Sequence, residues 1–101
     1  MKLKGKVAIV TGGSRDIGKA VSVKLAAEGA KVVVNFLSNP TQAEETIALI
    51  KANGGEAVAV KADVTKSADV ANLLAEAQKY FGNEINILVN VAGCLVARKL
   101  L

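Results

Sequence analysis

The chain has 101 residues and a formal net charge of +4, and 51% of its residues are hydrophobic but only 3% aromatic. This length predicts one domain over residues 1–101, with a core of Val, Ala, Leu and Ile that suits a parallel sheet covered by helices. The single cysteine, Cys94, excludes an internal disulfide. The lack of histidine excludes Cys–His catalysis and histidine-based metal sites, so we predict no metal centre.

The distribution of charge favours an anionic small molecule as ligand. Residues 1–31 contain seven bases and two acids, a net +5, whereas the rest of the chain has six bases and seven acids, a net −1. The positive excess surrounds a glycine-rich turn, although solvated surface lysines explain it equally well. Nucleic acid is not an expected partner, because the bases neither form a run nor alternate with aromatic residues.

Neither a signal peptide nor a membrane span is predicted. The basic segment 1–6 has no apolar region behind it, and no stretch approaches the roughly 18 uncharged apolar residues of a membrane helix. We therefore expect a cytoplasmic protein that has no membrane partner.

Strands and helices are predicted to alternate along the chain. Apolar, mostly β-branched runs predict strands at residues 7–10, 31–36, 57–61 and 85–91. Apolar residues at helical spacing predict three helices between them. The expected buried faces are Ile17, Ala20, Val21 and Leu25; then Ala43, Ile47 and Ile50; then Val70, Leu73, Leu74, Ala77 and Phe81. Residues 92–101 carry no clear structural signal.

Local signals predict where the helices begin and end. The second helix should start with Asn39 as N-cap and Pro40 as its first residue, and should stop at residues 53–55. The third should start with Ser67 as N-cap, carry Asp69 in its first turn, and end at Gly82.

The predicted fold class is α/β, a half Rossmann fold with a parallel four-stranded sheet of order 3-2-1-4 and three helices. Parallel strands follow from helices between strands without hairpin signals. Right-handed crossovers place the first two helices on one face and the third on the other. The switch point then lies between strands one and four, beside the glycine-rich turn, where such sheets bind ligands.

Three motifs at strand ends resemble the short-chain dehydrogenase/reductase family, in wording closest to the acyl-carrier-protein ketoreductase type. They are the glycine-rich segment 11–18, the pair Asp63-Val64 and the segment 90–93, Asn-x-Ala-Gly. The resemblance covers essentially the whole chain but only the N-terminal part of a typical family member. It implies the NADP(H)-binding portion of an oxidoreductase that reduces carbonyl or ketoacyl groups.

The resemblance also implies a cofactor site. Gly12 allows the tight turn, Gly18 lets the first helix approach the sheet, and the amides of residues 13–17 face the pyrophosphate. Asp63 faces the adenine amine, although a turn-forming Asp before a helix is the simpler alternative. The expected cofactor-binding residues are Gly12, Gly13, Ser14, Arg15, Asp16, Ile17, Gly18, Asn35, Ser38, Asp63, Val64, Asn90, Ala92 and Gly93.

Two positions depart from the family pattern. Asp16 stands where the family usually has Gly, and Val91 stands where it usually has a second Asn. A carboxylate about 4 Å from a phosphate would be repelled by up to a few kcal/mol at an effective dielectric near 20. The favoured interpretation makes Asp16 the N-cap of the first helix, which weakens phosphate binding without abolishing it, since Arg15 and Lys19 are close in sequence.

The end of the second strand decides which cofactor is expected. NAD enzymes place an acid there to bind the ribose hydroxyls, but here no acid follows before Glu44. Arg15 and Ser38 can instead receive a 2′-phosphate. We therefore expect NADP(H), with NAD(H) still open.

Catalytic residues of the family are missing from this sequence. Its proton transfer uses a Ser and a Tyr-x-x-x-Lys pair, whereas the only tyrosine here, Tyr80, precedes Glu84 by four residues. We predict no catalytic residue and no hydride transfer by this chain alone. One alternative is a folding or assembly scaffold that binds no measurable ligand. A remoter one is a P-loop, because residues 13–20 read G-x-x-x-x-G-K-A, without the Ser or Thr that holds magnesium.

A homodimer is expected from the fourth strand. Its run Ile87-Leu88-Val89 suits a strand buried on both faces, yet the sequence predicts no neighbour on its outer edge. We expect two copies to cover this edge and the adjacent apolar face. The apolar residues of the tail, Leu95, Val96, Leu100 and Leu101, would contribute.

Overall fold

The computed structural model describes residues 2–12, 16–82, 84–91 and 96–99, and the side chains of all of these except residues 16 and 96–99. The strands are β1 Val7–Thr11, β2 Lys31–Phe36, β3 Glu56–Lys61, β4 Ile87–Asn90 and β5 Val96–Lys99. The helices are α1 Asp16–Ala27, α2 Pro40–Ala52 and α3 Ser67–Phe81.

The sheet has the order β3-β2-β1-β4-β5, and its first four strands are parallel. This confirms the predicted 3-2-1-4 half Rossmann fold. From β1 the chain adds β2 and β3 on one side, and it then crosses back to add β4 on the other side of β1. The strand order therefore reverses between β1 and β4, and their carboxyl ends form the switch point.

The two faces of the sheet carry separate cores. Side chains alternate along each strand, so Val10 and Val34 pack with Ala26 of α1 and Ile50 of α2 on one face. The opposite face holds a second cluster, whose buried members are Ile9, Val33, Val60, Ala62, Leu73 and Ala77, the last two from α3. The predicted placement of the helices, two on one face and one on the other, is confirmed.

The ends of α2 follow the sequence signals. Asn39 is the N-cap, its side-chain oxygen accepts a hydrogen bond from the Gln42 amide at 3.2 Å, and Pro40 is the first helical residue. The helix ends before Asn53, as predicted. For α3 the predicted end is confirmed, since Gly82 terminates it at φ +94°.

The predicted N-cap of α3 is wrong. Ser67 is the first helical residue, and Lys66 holds the cap position without a side-chain hydrogen bond. The carboxylate of Asp69, in the first turn, instead accepts the main-chain N–H of Asp63 at 2.7 Å. On the same helix, Leu73 is buried as predicted but Leu74 is 42% exposed.

The buried face of α1 agrees only in part with the prediction: Val21 and Leu25 pack partly buried against the first core cluster, but Ala20 is exposed. Ile17 is 56% exposed, and the buried positions are Gly18, Ser22 and Ala26. These residues recur every four positions and are small, so the helix can lie close to its neighbours. The Ser22 hydroxyl donates to the Gly18 carbonyl at 2.8 Å, which satisfies it inside the core.

The outer edge of β4 is paired, so the expectation of a bare fourth strand is wrong. β5 runs antiparallel to β4, with Asn90 opposite Val96 and Ile87 opposite Lys99. Sequence periodicity missed β5 because a four-residue strand paired through its main chain needs no apolar alternation. β4 itself is shorter than predicted, Ile87–Asn90.

Gly55, between α2 and β3, packs closely against residues of both α1 and α2. A Cβ built there would lie 2.8 Å from Ile50 Cγ2 and 3.3 Å from the Ala26 Cβ. We expect Gly55→Ala to lower the free energy of unfolding by about 2 kcal/mol, because the packed core must shift. Gly54→Asn is the control, since Gly54 has φ +84° with nothing within 4 Å, and Asn tolerates this backbone region. Urea denaturation measures both, and equal stability of the two variants would contradict the packing argument.

Candidate functional site

The candidate site lies at the carboxyl edge of the parallel strands. β1 is buried along its whole length and ends at Thr11, and Gly12 then turns the chain at φ +66°. α1 begins at Asp16, so its free N–H groups and positive end lie at the same edge. A backbone in this left-handed region favours glycine, and a strand, glycine turn and helix in this order form an anion-binding arrangement.

Asn35 joins the ends of three strands. Its Oδ1 accepts from the Gly12 amide at 3.4 Å, while its Nδ2 donates toward the carbonyls of Ala62 at 3.1 Å and Val60 at 3.3 Å. The residue is only 3% exposed. The structure therefore gives its side chain main-chain partners at the ends of β1 and β3.

Thr11 joins β1 to β4 at the switch point. Its hydroxyl lies 2.9 Å from Asn90 Oδ1 and 3.3 Å from the Val89 carbonyl. The Val91 amide donates to the Thr11 carbonyl at 3.2 Å. The sequence pattern predicted Asn90 at the site but did not predict the hydrogen bonds of Thr11. The available signal was that Thr11 is the last residue of a buried strand.

Asp63 forms a tight turn after β3. Its Oδ1 accepts from the Thr65 amide at 3.0 Å and from the Thr65 hydroxyl at 2.6 Å. These two hydrogen bonds lower the pKa of the Asp63 carboxyl below its ordinary value, with a smaller contribution from the charge of Lys66. Asp63 thus forms a turn before α3, as the simpler interpretation of this residue predicts. Among the described residues, no hydrogen bond is formed to its Oδ2, which lies outside this turn.

Thr65→Val should raise the pKa of Asp63 toward its ordinary value, because the variant lacks the hydroxyl that stabilises the carboxylate. The folded-state pKa of Asp63 is lowered, so the carboxylate stabilises the fold at pH above its unfolded pKa. This contribution is lost as the pH falls through the folded pKa. A ¹³C NMR titration of the carboxyl measures the shift. Thr65→Ser keeps the hydroxyl and is the control, and an unchanged Asp63 pKa in Thr65→Val would refute the assignment.

Asp16 is the first residue of α1 rather than the residue before it. The predicted N-cap role is therefore wrong, because a cap residue precedes the first helical residue. An acid in the first turn still interacts favourably with the helix dipole. The sequence offered no way to distinguish these adjacent positions, since Asp is common at both.

The other predicted site residues fall into three groups. Ser38 is exposed between β2 and α2, and Ile17 is exposed at the start of α1. Gly18 is buried in α1, and Val64 packs partly against the second core cluster. Five predictions lie outside the described residues: Gly13, Ser14, Arg15, Ala92 and Gly93.

Three further features would be signs of other functions: a metal site, a membrane-spanning helix and the single tyrosine. Across the described ranges, no three His, Cys, Asp or Glu residues are grouped so as to hold a metal ion. None of the helices described is long and apolar enough to cross a membrane. Tyr80 is 53% exposed on α3, and its ring lies 5.8 Å from the Lys79 ammonium, so it is a surface residue.

Comparison with known proteins identifies relatives along nearly the whole chain. The family profile described as short chain dehydrogenase matches residues 6–100. Glucose 1-dehydrogenase 2 of Bacillus subtilis is 47% identical over 91 residues, which are 90% of this chain and 35% of that protein.

Solved structures show the same fold. A short-chain dehydrogenase/reductase from Serratia marcescens superposes with a TM-score of 0.87 at 40% identity, over 92% of this chain and 38% of that one. A short chain dehydrogenase from Burkholderia cenocepacia, solved in complex with NADP, has a TM-score of 0.83 at 40% identity, over 89% of this chain and 36% of that one. The chain thus spans little more than a third of the length of these relatives.

Proposed function

Because the chain belongs to the short-chain dehydrogenase family, we propose that it forms the NADP(H)-binding portion of an oxidoreductase that reduces carbonyl groups. The observation that carries the proposal is the position of Gly12. It turns the chain at φ +66° between a buried strand and the N-terminus of α1, at the switch point of the sheet. The relative in complex with NADP supports the choice of ligand.

The proposed site holds the adenosine diphosphate part of the cofactor. The main chain of residues 12–18 binds the pyrophosphate at the positive end of α1. Arg15 and exposed Ser38 bind the 2′-phosphate, and the lack of an acid in the stretch 35–39 fits a phosphate there, because no carboxylate repels it.

The remaining contacts line the adenine and its ribose. Asp63 and Val64 contact the adenine from the end of β3, and Asn90, Ala92 and Gly93 line the ribose from the end of β4. When bound, the cofactor supplies or accepts the hydride. The described residues contribute only binding and orientation.

Isothermal titration calorimetry with NADP⁺ tests the proposal. We expect a dissociation constant of about 10 μM to 1 mM, equivalent to about −4 to −7 kcal/mol. NAD⁺ and magnesium-ATP, titrated in parallel, should bind more weakly. No heat with millimolar NADP⁺ would reject the proposal, and tighter binding of magnesium-ATP would favour the P-loop alternative.

A pair of glycine variants makes this experiment specific. Gly12 and Gly54 both have positive φ, +66° and +84°, but Gly54 lies after α2 at the opposite edge of the sheet. Alanine strains the backbone at either position, whereas only Gly12→Ala adds a methyl group at the proposed phosphate site. We expect Gly12→Ala to weaken NADP⁺ binding at least about tenfold. Gly54→Ala should leave it unchanged, and equal loss in both variants would assign the effect to stability.

The proposed assembly is a homodimer. Its contact surface is the apolar face formed by Leu88 of β4 together with Phe81 and Ile85, all three of which are only partly buried in the second core cluster. β5 now provides the outer edge of the sheet. Sedimentation velocity at tens of micromolar protein should show a dimer, and a monomer at that concentration would reject the proposal.

A further inference from the structure

We propose that Asn35 is a positioning residue that holds the phosphate turn at Gly12 and the adenine segment after β3 in one fixed arrangement. The inference rests on the proposed function and assigns Asn35 an indirect part in it, since its amide reaches both sides of the site. On one side its Oδ1 accepts the Gly12 N–H, and on the other its Nδ2 donates toward the carbonyls of Val60 and Ala62.

The burial of Asn35 argues against direct contact with a ligand. Its exposed fraction is 3%, and both its oxygen and its nitrogen have main-chain partners. A buried amide is held in place by such partners, because leaving them unpaired is unfavourable. A cofactor phosphate would have to displace these hydrogen bonds to reach the side chain.

The orientation of the amide follows from its neighbours. Gly12 offers an N–H donor, whereas Val60 and Ala62 offer carbonyl acceptors. A rotation of the amide by 180° would place donor against donor and acceptor against acceptor. Only a group that has both an acceptor and a donor, arranged as in Asn, satisfies the ends of β1 and β3 together.

The two segments that Asn35 joins are the two walls of the proposed site. Gly12 begins the turn that binds the pyrophosphate, and Ala62 directly precedes Asp63 and Val64. The Ala62 amide also donates to the Phe36 carbonyl at 3.0 Å, which fixes the end of β3 to the end of β2. Without the Asn35 side chain, the hydrogen bond from Ala62 to Phe36 would still join the ends of β3 and β2. Among the described residues, however, no other side chain accepts the Gly12 amide.

The test compares Asn35→Ala with Thr46→Ala, a control at another buried polar residue. Thr46 is fully buried on α2, where its hydroxyl donates to the Gln42 carbonyl at 3.1 Å. Both variants lose stability, so NADP⁺ is titrated by calorimetry at a temperature where both remain folded. We expect Asn35→Ala to weaken NADP⁺ binding about five- to tenfold, as for the loss of one supporting hydrogen bond, and Thr46→Ala less than about twofold.

A second readout needs no ligand. In ¹H–¹⁵N NMR spectra, Asn35→Ala should shift the amide signals of both Gly12 and Asp63, whereas Thr46→Ala should leave them in place. Unchanged NADP⁺ affinity, or unchanged signals at Gly12 and Asp63, would overturn the inference. If the unsubstituted protein fails to bind NADP⁺, the proposed function fails, and the NMR comparison alone then decides whether Asn35 positions the turn.

Discussion

Replacing Asn35 by aspartate is expected to lower the free energy of unfolding by about 3 kcal/mol at neutral pH. The new carboxylate still accepts the Gly12 N–H, but its second oxygen faces the carbonyls of Val60 and Ala62 in place of a donor. A buried carboxylate oxygen that faces carbonyl oxygens without a donor is strongly unfavourable, and the position is 3% exposed. Against a total stability of about 5–15 kcal/mol, this loss should lower Tm by more than about 10 °C.

The loss of unfolding free energy in Asn35→Asp should depend on pH. When protonated, the introduced carboxyl again donates to the β3 carbonyls, so its pKa in the folded state is raised above the unfolded value. Its favourable contribution is therefore present at acid pH and is lost as the pH rises through the folded-state pKa. Urea denaturation of both proteins from pH 4 to pH 8 should show a stability difference that grows with pH.

Asn39→Asp is the matched control for this experiment. Asn39 is exposed, and its side-chain oxygen caps α2 by accepting from Gln42. Aspartate caps a helix as well as asparagine does, so this substitution should change stability by less than about 0.5 kcal/mol. If Asn35→Asp were equally harmless, or its deficit independent of pH, the role assigned to the Asn35 amide would be incorrect.

Replacing Asp16 by glycine should tighten NADP⁺ binding about tenfold. Asp16 is the first residue of α1, and the proposed pyrophosphate binds at this end of the helix, where an added negative charge repels it. Two unit charges about 4 Å apart interact by about 4 kcal/mol at an effective dielectric of about 20. Arg15 and Lys19 offset part of this repulsion, so the expected gain is about 1.4 kcal/mol, equivalent to tenfold.

The affinity gain should fall as salt is added, because screening weakens the repulsion that the substitution removes. Glu56→Gln changes the net charge by the same amount at the first residue of β3, at the opposite edge of the sheet, and is the control. Calorimetry at low and at high ionic strength measures both variants. Equal affinities of Asp16→Gly and the unsubstituted protein would show that no diphosphate binds beside this residue, which would favour the scaffold alternative.

Much of the fold could be predicted because its signals are local. The apolar runs and the helical spacing identify strands and helices directly, and Asn39 with Pro40 marks the start of α2 because capping involves only neighbouring residues. The strand order 3-2-1-4 was predicted as part of the half Rossmann fold, and with that order the handedness of the crossovers placed the helices on their faces. The turn at Gly12 could also be predicted, since glycine adopts a positive φ through its own lack of a side chain, independently of distant residues.

Contacts between distant segments were not visible in the sequence. The position of Asn35 after a valine run indicates the end of a strand, but its bonds to Gly12 and Ala62 join residues 23 and 27 positions away. The face of α1 was mispredicted for the same reason. Close packing favoured the small residues Gly18, Ser22 and Ala26 over the exposed Ile17.

The sequence by itself therefore determined the three helices, the first four strands and the edge at which a ligand is proposed to bind, because periodicity, caps and glycine turns act over a few residues. Only the tertiary structure showed which residues Asn35 joins at the site and that β5 pairs with the outer edge of β4. Hydrogen bonds across strands and the space between helices depend on segments that meet only after the chain has folded.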